Sequence, residues 1–431
     1  MQTGILFFCD TFAFCDSFRP DIMNILHTSD WHIGRALYGR KRYDEFAAFL
    51  DWLLKTIEEE HIDVLIVAGD VFDSATPSNR AQQLYYRFLQ EVSAGTCRHV
   101  IIIGGNHDSP SLLEAPKELL RCFQIHVVGK AAENSEEEVF VLKDEKGNDE
   151  LLVCAIPYLR DRDIRSARPG ENIDDKNRNL IDGIAAHYQQ VLAFASKLRQ
   201  AAKHYLPIVA TGHLFVAGGK KVEGDGVRDL YIGSLAHVEG SILPREIDYL
   251  ALGHLHSAQL VAHDPTRRYS GSPLPMSFGE AEKTKNVLSV TLAERNVSVN
   301  PIIVPTFQRL ETVKGDMATI LAAIDTLKKA GQSIWLEVIY DGIELVPHLQ
   351  MTLHEAIANS QLEILRIVNN RLIARIIEST VPQETLDTLS EEAVFMRCLE
   401  ANNVPQEQQE ELLHLFGETI QALADEDQQA E

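Results

Sequence analysis

Five short motifs contain side chains that could bind a metal ion, and each follows an apolar run that predicts a strand. Mixtures of carboxylate, amide and imidazole groups without thiolates favour Mn²⁺, Fe²⁺ or Zn²⁺ in octahedral-like sites. One carboxylate can bridge two such ions ~3.5–4 Å apart, as in two-metal hydrolytic sites. The candidate ligands are Asp30, His32, Asp70, Asn106, His213, His254 and His256, and the third motif also contains His107 and Asp108.

Each motif alone is a weak signal of function. An Asp-x-His or Gly-Asp pair occurs by chance, and a lone histidine such as His27 or His99 is more often packed or on the surface than a ligand. Asp73, close behind Asp70, could be an outer layer of the site or a helix N-cap. Five motifs in one order, all at strand ends, favour a single metal site over five coincidences.

An alternation of short strands and helices must position these motifs. The strands are predicted at 24–28, 63–68, 99–103, 151–156, 207–211 and 248–252. Helical periodicity covers 43–60, 78–93, 111–121 and 180–203. This alternation indicates an α/β layered domain, and open α/β sheets bind their ligands at the carboxyl ends of the strands.

Pattern and composition divide the chain into four parts. Residues 1–22 precede Met23 and predict a disordered or non-native extension, without the basic segment and cleavage site of a signal peptide. Residues 23–300 form the α/β domain, and residues 301–378 form a small α+β domain with a βαβαβ-like pattern. Residues 379–431 predict a pair of helices that is too short to bury both of its apolar faces alone.

The net charge of −23 argues against a simple nucleic-acid coat, because a phosphate backbone attracts lysine and arginine. Residues 381–431 carry a net −12 and residues 131–150 a net −6, however, so the rest of the chain is near balance. The composition, 45% apolar and 24% charged, excludes a disordered chain and a polytopic membrane protein. Six cysteines without a CxxC pair indicate a reducing, cytoplasmic setting, and Cys122 and Cys154 are expected to be buried.

The ordered motifs resemble the pattern D-x-H, G-D, G-N-H-[DE], H and G-H-x-H of the calcineurin-like metallophosphoesterase superfamily. Within it, residues 23–431 most closely resemble the SbcD family of bacterial DNA-repair nucleases. The resemblance implies a layered metallophosphoesterase β-sandwich flanked by helices, then a small α+β capping domain and a C-terminal helical pair. The segments that carry the closer likeness are 27–34, 68–73, 104–110, 269–273 and 277–280.

The resemblance also implies roles for the motif residues. His107 would stand over the scissile phosphate, and Asp108 would orient it, as in a catalytic acid–base pair. The cofactors would be two Mn²⁺ ions. One would be held by Asp30, His32, Asp70 and His256, and the other by Asp70, Asn106, His213 and His254.

Basic residues follow the motifs in the predicted loops. Each cluster alone is most simply a solvated surface. Together they would lie at the sheet edge that carries the metal motifs, where they could contact DNA phosphates and make binding salt-dependent. The first cluster is Arg35, Arg40, Lys41 and Arg42, and further clusters lie at 160–168, 220–228 and 267–268.

By resemblance, the leading hypothesis is a Mn²⁺-dependent DNA nuclease of repair, recombination and replication. It would be a 3′→5′ exonuclease on duplex ends and an endonuclease on single strands and hairpins. Residues 383–427 would bind the coiled coil of an SbcC-type ATPase, and helices near 78–93 and 111–121 would form a homodimer. Two rivals stay open: a protein or nucleotide phosphatase or phosphodiesterase with the same site, and a non-catalytic scaffold. The complete ligand set argues against the scaffold, and the second domain and tail argue against the phosphatase.

Overall fold

The structure is a computed structural model that describes residues 22–164, 173–217, 238–239, 244–342, 346, 348–369, 393–396, 399, 409 and 412–417. The predicted extension 1–22, apart from its last residue, lies outside the described residues. So do most of the predicted helical pair and the basic cluster at 220–228.

Residues 22–128 alternate strands and helices, as the sequence predicts. Their elements are β1 (Ile22–Thr28), β2 (Ala36–Leu37), β3 (Arg40–Lys41), α1 (Tyr43–Glu59), β4 (Val64–Ala68), α2 (Asn79–Ala94), β5 (His99–Ile103), α3 (Pro110–Glu114), α4 (Lys117–Arg121) and β6 (Ile125–Val128). β1, β4, β5 and β6 are parallel neighbours in one sheet. Every residue of β4 and β5 is buried, which explains why their sequences are almost continuously apolar.

Residues 139–303 build a second sheet and complete the first. Their elements are β7 (Val139–Lys143), β8 (Asp149–Cys154), α5 (Asp161–Ile164), α6 (Ile173–Ala201), β9 (Ile208–His213), β10 (Val216–Ala217), β11 (Val238–Glu239), β12 (Tyr249–Gly253), β13 (Gln259–Val261), β14 (Asp264–Tyr269), β15 (Asn286–Ala293) and β16 (Asn296–Ile303). β8, β9, β12 and β14 are parallel, with β7 and β13 antiparallel at the edges. β15 and β16 return to the first sheet, where β15 pairs antiparallel with β1.

The two sheets pack face to face and form a β-sandwich with helices on both outer faces. A cluster of buried residues from both sheets, including Ile66 and Val209, lies between them. α1 and α2 cover the first sheet, because residues such as Phe49 recur on one face at helical spacing. α6 covers the second sheet through Tyr188 and its neighbours. The predicted layered sandwich is confirmed.

Residues 309–369, which we call the second unit, fold around a separate small sheet. Their elements are β17 (Arg309–Gly315), α7 (Met317–Ala330), β18 (Ile334–Tyr340), α8 (Leu349–Ile357) and β19 (Leu362–Asn369). β18 is central and parallel to both neighbours, so the predicted βαβαβ order is confirmed. β16 ends at Ile303, three residues beyond the predicted end of the first domain.

The hairpin of β2 and β3 contacts the second unit. Leu37 and Phe278 pack in a small apolar cluster with Leu310 and Trp335. The Arg40 guanidinium also lies 3.3 Å from the Glu363 carboxylate. The loop that follows the first metal motif therefore lies against the second unit.

Three further expectations can be compared with the structure. Cys154 is buried as predicted, but Cys122 is exposed in the turn after α4, so that prediction was wrong. The helix predicted at 111–121 is divided into α3 and α4 around Pro116.

In the tail, the rings of Phe395 and Phe416 stack with centroids 4.1 Å apart. Among the described residues, no helix is both long and apolar enough to cross a bilayer.

Candidate active site

The carboxyl ends of strands from both sheets meet at one edge of the sandwich, and the five motifs lie there. The first sheet contributes the residues after β1, β4 and β5, and the second sheet contributes those at the ends of β9 and β12. The register of β9 and β12 places His213 directly beside Gly253. All seven predicted ligands are therefore brought to one place: Asp30, His32, Asp70, Asn106, His213, His254 and His256.

Four of these ligands adopt a left-handed backbone conformation, which is unusual for residues other than glycine. The values of φ are 53° for Asp30, 49° for His32, 52° for Asp70 and 101° for His254. Such conformations cost about 1–3 kcal/mol each and persist only where the surrounding structure imposes them. Holding these side chains close to one another therefore lowers the stability of the fold.

Two glycines of the motifs make the close approach possible. A Cβ atom on Gly105 would lie 2.1 Å from Oδ1 of Asp70, and one on Gly69 would lie 2.3 Å from Nδ1 of His213. Gly69 also has φ of 89°, a conformation that glycine adopts without strain. Any larger residue at either position would displace a candidate ligand.

The first ligand group consists of Asp30, His32 and His256, whose ligand atoms all lie within 4.8 Å of one another. The Nε2 atoms of His32 and His256 are 3.1 Å apart. The carboxylate of Asp30 accepts hydrogen bonds from the Ser29 hydroxyl at 2.5 Å and from the backbone N–H of His254 at 2.9 Å. These bonds fix the carboxylate in front of the two imidazoles.

The second group surrounds the side-chain oxygen of Asn106. Its Oδ1 lies 3.1 Å from Nε2 of His213 and 3.1 Å from Nδ1 of His254. Oδ2 of Asp70 lies 3.2 Å from the same His213 nitrogen and 3.6 Å from Nε2 of His32. Asp70 therefore lies between the two groups, where a carboxylate could bridge two cations.

The acceptor atoms around His213 fit a divalent cation. Nδ1 of His213 lies 2.9 Å from the carbonyl oxygen of Ala68, which can only accept, so Nδ1 carries a proton. Nε2 of the neutral ring then directs its lone pair at the acceptor oxygens of Asp70 and Asn106. Burial opposes a charge on this ring, but the Asp70 carboxylate outweighs it and raises the pKa of His213 to about 9. A positive charge is needed there, and a divalent cation would supply it.

The pKa shifts of Asp70 and His254 are consistent with a positive charge at this point. Burial opposes ionisation of Asp70, but His213 outweighs it and holds the pKa of Asp70 well below its usual range. Burial, followed by the charge of His213, lowers the pKa of His254 to about 3. His254 is therefore neutral at physiological pH, the form in which an imidazole binds a metal.

His107 lies beside the ligands without belonging to the predicted set. Its backbone N–H donates to Oδ1 of Asp70 at 2.9 Å, and its Nδ1 lies 2.9 Å from the carbonyl oxygen of Asp73. Since a carbonyl only accepts, Nδ1 carries the proton and Nε2 is the atom that can exchange a proton with a substrate. Burial lowers the pKa of His107.

The carboxylate of Asp108 binds the backbone. It accepts N–H bonds from Gly105, Val71 and Phe72 at 2.8, 3.1 and 2.9 Å, and thereby ties the loop after β5 to the loop after β4. Burial, with the nearby Asp70 carboxylate, raises the pKa of Asp108 to about 6. The Asp73 carbonyl contacts the His107 ring. Any effect of Asp108 on the orientation of His107 therefore acts through the loop backbone.

Asp73 lies in an outer layer of the site. Its Oδ1 is 3.4 Å from Nδ1 of His32 and 3.1 Å from Nη1 of Arg35. Ser78 caps α2, so the N-cap alternative for Asp73 was wrong. The carboxylate instead lies behind the His32 ring, where it can orient a ligating imidazole.

The four basic residues after the first motif have different surroundings. Arg40 and Lys41 are exposed, and Arg35 is partly buried beside Asp73. The Arg42 side chain is fully buried. It donates to both carboxylate oxygens of Glu45 at 2.7 and 2.9 Å and to the carbonyl oxygen of Pro275 at 2.7 Å. The expectation that Arg42 contacts a DNA phosphate is therefore corrected, because its guanidinium is buried and already bonded.

Comparison with known proteins assigns this geometry to a family. Residues 23–258 match the calcineurin-like phosphoesterase family, and residues 306–403 match the SbcD_C family, described as the Type 5 capsule protein repressor C-terminal domain. The SbcD subunit of the nuclease SbcCD from Escherichia coli K12 is 37% identical over 407 residues, which cover 94% of this chain and 99% of that protein. The chain belongs to the SbcD family of calcineurin-like phosphoesterases. The resemblance identified from the motifs is confirmed.

Two more distant SbcD family members support the same assignment. The SbcD subunit of the nuclease SbcCD from Rhodobacter capsulatus is 34% identical, covering 71% of this chain and 76% of that protein. The corresponding protein of Bacillus subtilis is 35% identical, covering 62% of this chain and 66% of that protein. As a member of this family, the chain is a metal-dependent phosphodiesterase.

Sequence reasoning missed the side chains that hold the ligands from behind. The Ser29 hydroxyl, for example, lies 2.7 Å from the hydroxyl of Ser270, just after β14. Glu280 lies behind His256 in the same way. The only signal was that 27–34, 269–273 and 277–280 resemble the family, because the partners are far apart in sequence.

Proposed function

We propose that this chain is a Mn²⁺-dependent DNA nuclease that acts with an SbcC-type ATPase in DNA repair, recombination and replication. The observation that carries the proposal is the convergence of the seven predicted ligands, with Asp70 between the two groups and His107 beside them. The E. coli relative, part of a nuclease, matches almost the whole chain and not the site alone. This extent favours a nuclease over a phosphatase with the same ligands.

We assign the roles of the residues from the family resemblance, and their positions support the assignment. Asp30, His32 and His256 would hold one cation, Asn106, His213 and His254 the other, and Asp70 both. Divalent cations, when bound, would polarise a phosphodiester and lower the pKa of a coordinated water. His107, with its Nδ1 proton held by the Asp73 carbonyl, would present Nε2 to the leaving oxygen.

The substrates and directions come from the family resemblance. The enzyme would degrade duplex ends from 3′ to 5′ and cut single strands and hairpins. The second unit would direct DNA to the site as a capping domain. Arg40 and Lys41, exposed in the β2–β3 hairpin between the site and the second unit, would contact the phosphate backbone.

The proposed partners fit exposed apolar residues. Residues 383–427 would bind the coiled coil of the ATPase, and in this segment Phe395 stacks on Phe416 while Leu415 is 52% exposed. The homodimer would use α2, α3 and α4, next to which Leu119 and Phe123 are 63% and 54% exposed. Exposed apolar side chains of this size mark interaction surfaces when they cluster. The protein would act in the cytoplasm.

A nuclease assay tests the proposal. The full chain is incubated with a labelled DNA hairpin and Mn²⁺, with and without the SbcC-type ATPase and ATP, and with a small phosphomonoester as the competing substrate. We expect hairpin cleavage that needs Mn²⁺ and increases with the partner and ATP. Hydrolysis of the phosphomonoester without DNA cleavage under any of these conditions would support the phosphatase instead.

A further inference from the structure

An aromatic side chain lies exposed at the tip of the β2–β3 hairpin. Leu37 pairs with Arg40, so Tyr38 and Gly39 form a two-residue turn, and their φ values are both positive, 46° and 82°. Such a turn favours Asn-Gly, because a bulky residue at its first position is strained. Tyr38 nevertheless occupies this position and remains 46% exposed. The turn therefore carries strain in order to present a ring that is only half covered.

The Tyr38 ring belongs to a stack that both regions of the molecule build. It stacks on Phe278 of the sandwich, with centroids 5.7 Å apart and an angle of 22° between the ring planes. Arg366 of β19 places its guanidinium 5.1 Å from the centroid of the Tyr38 ring and donates to its hydroxyl at 3.1 Å. Arg366 also donates to Glu337 at 2.7 Å and is 46% exposed. The ring and the guanidinium are thus held in place with part of each open to solvent.

The stack lies beside the first ligand group. Tyr38 follows the ligand His32 by six residues, which can span at most about 20 Å. Phe278 begins the turn that ends at Glu280, and the Glu280 carboxylate lies 3.9 Å from the ring of the ligand His256. Two separate segments therefore connect the stack to the metal ligands.

Basic side chains surround the exposed ring. Arg40 and Lys41 are exposed on the strand that follows the turn. Arg40 is paired with Glu363 at 3.3 Å, but exposed ion pairs of this kind contribute little stability, so a phosphate could take the place of the glutamate. Proteins bind single-stranded nucleic acids with this combination, in which rings stack on bases and cations hold the phosphates.

Packing alone does not explain the tyrosine. The contact between the β2–β3 hairpin and the second unit already has an apolar core, in which Leu37 packs with Leu310 and Trp335. Tyr38 adds a strained backbone and a half-exposed ring to that contact. A tyrosine at this position is better explained by a ligand that uses the ring.

We propose that Tyr38 and Arg366 form a site for one unpaired DNA base beside the metal centre. The base stacks on the exposed part of the ring and the guanidinium, while Arg40 and Lys41 contact the neighbouring phosphates. The site favours single strands and opened ends over closed duplex, because bases inside a duplex already stack on one another. This inference rests on the proposed function.

The test compares the affinity of the full chain for two forms of DNA. Binding to a fluorescein-labelled single strand is measured by anisotropy without divalent metal, so that the DNA is not cut. Competition by a relaxed, closed-circular duplex, which has no ends, gives the affinity for paired DNA. Denaturant unfolding confirms that each variant is folded.

The main variant is Tyr38→Asn, which removes the ring and introduces the residue that this turn favours, so the β2–β3 hairpin can keep its shape. Tyr38→Phe keeps the ring but loses the hydroxyl bond to Arg366. Tyr205→Asn is the matched control. Tyr205 also lies against two guanidinium groups, those of Arg199 and Arg295, but it precedes β9 and is therefore at the end of the sandwich away from the motifs.

We expect Tyr38→Asn to lower the affinity for the single strand by roughly 5- to 150-fold, the usual effect of removing one stacking ring. Its affinity for the closed duplex should stay near the wild-type value, and Tyr38→Phe and Tyr205→Asn should bind both forms as the wild type does. Wild-type affinity for the single strand in Tyr38→Asn would overturn the proposal. So would an equal loss in Tyr38→Phe, since the hydroxyl bond and not the ring would then be responsible.

Failure of the proposed function is a separate result. In that case the wild-type chain would not cut a DNA hairpin with Mn²⁺ and the ATPase partner. The difference between Tyr38→Asn and Tyr38→Phe is measured without cleavage, so it still decides whether the ring binds a base.

Discussion

The sandwich and the second unit differ in how many charged groups they bury. Within the described residues of the sandwich, the edge that carries the motifs contains buried carboxylates and imidazoles, several on a left-handed backbone. In the described part of the second unit, Glu337 is the only buried charged residue, and the core is otherwise apolar or aromatic. α7 there begins at a capping Asp316 and ends at Gly331, as an ordinary stable helix does.

This difference indicates that the sandwich edge carries out the chemistry and that the second unit supports it. Strained ligands and buried charges lower stability and are retained where they bind or react. The second unit also has left-handed residues, His348 and Asn359, and one buried charge, Glu337, but none of them belongs to the predicted site. Changes in the sandwich edge should therefore affect chemistry first, and changes in the second unit should affect stability and substrate handling first.

The largest expected effect is that of His107→Gln. Glutamine cannot titrate, so DNA cleavage should fall by about 10²- to 10⁴-fold, the usual contribution of a general acid or base. Mn²⁺ affinity, measured by calorimetry, should stay near the wild-type value because His107 is not among the predicted ligands. Cleavage at the wild-type rate would show that the role assigned to His107 is wrong.

A second prediction concerns the core of the second unit. Leu336→Ala removes a completely buried side chain from β18 and should destabilise the second unit by about 2–5 kcal/mol. Near the melting temperature of the second unit in this variant, DNA cleavage should fall while hydrolysis of a small phosphodiester continues.

Leu250→Ala, equally buried in β12 of the sandwich, is the matched control. This variant should reduce both activities together. Equal loss of both activities in Leu336→Ala would instead mean that the two regions fold and act as one.

The third prediction is a pH dependence inside the sandwich. His27 is completely buried, and burial lowers its pKa to about 3, with a hydrogen bond of its Nδ1 to the Tyr249 hydroxyl at 2.9 Å. Because the folded-state pKa is below the unfolded value of 6.5, the unfolded state takes up the proton first. The stabilisation is present above pH 6.5 and is lost as the pH falls toward 3, by on the order of 4–5 kcal/mol in total.

His27→Gln should remove this contribution. In metal-free protein, the difference in unfolding free energy between wild type and variant should shrink as the pH falls from 7 to 4. His61→Gln, at an exposed position, should keep the wild-type slope. A constant difference between wild type and His27→Gln would show that His27 is not held neutral.

Much of the fold was predictable because its signals are local. The strands that carry the motifs end within two residues of the predicted positions, since apolar runs mark their extent and glycines lie at or just after the ends of all but β1. The meeting of the candidate ligands at one edge was predictable for the same reason, because five motifs follow five strand ends. The division of 111–121 into two helices was missed, although Pro116 marks the position of the break.

The remainder depends on contacts between distant residues. Arg42 looks like its basic neighbours, and only the fold shows that Pro275, 233 residues away, accepts a hydrogen bond from it. Glu280 and Lys285 are five residues apart, and nothing local connects them to His256. Second-layer partners of a site are thus harder to predict than its ligands.

The smallest expected effect concerns the hairpin that joins the two regions. Arg40 is 52% exposed and paired with Glu363 across the contact, whereas the Arg42 side chain is fully buried. Each phosphate contact contributes ~0.9 to the slope of log affinity against log salt concentration on duplex DNA. Arg40→Gln combined with Lys41→Gln should therefore reduce that slope by roughly 1–2, measured by fluorescence anisotropy.

Arg42→Gln, directly after the same hairpin, is the matched control. It should lower the unfolding free energy by about 3–5 kcal/mol, because Glu45 is left as a buried unpaired charge, and it should leave the salt slope unchanged. If the Arg40 and Lys41 changes left both DNA affinity and slope at the wild-type values, the hairpin would contribute no phosphate contact. A reduced slope in Arg42→Gln alone would mean that the hairpin rearranges when DNA binds, so that burial in the free protein does not define the DNA-binding surface.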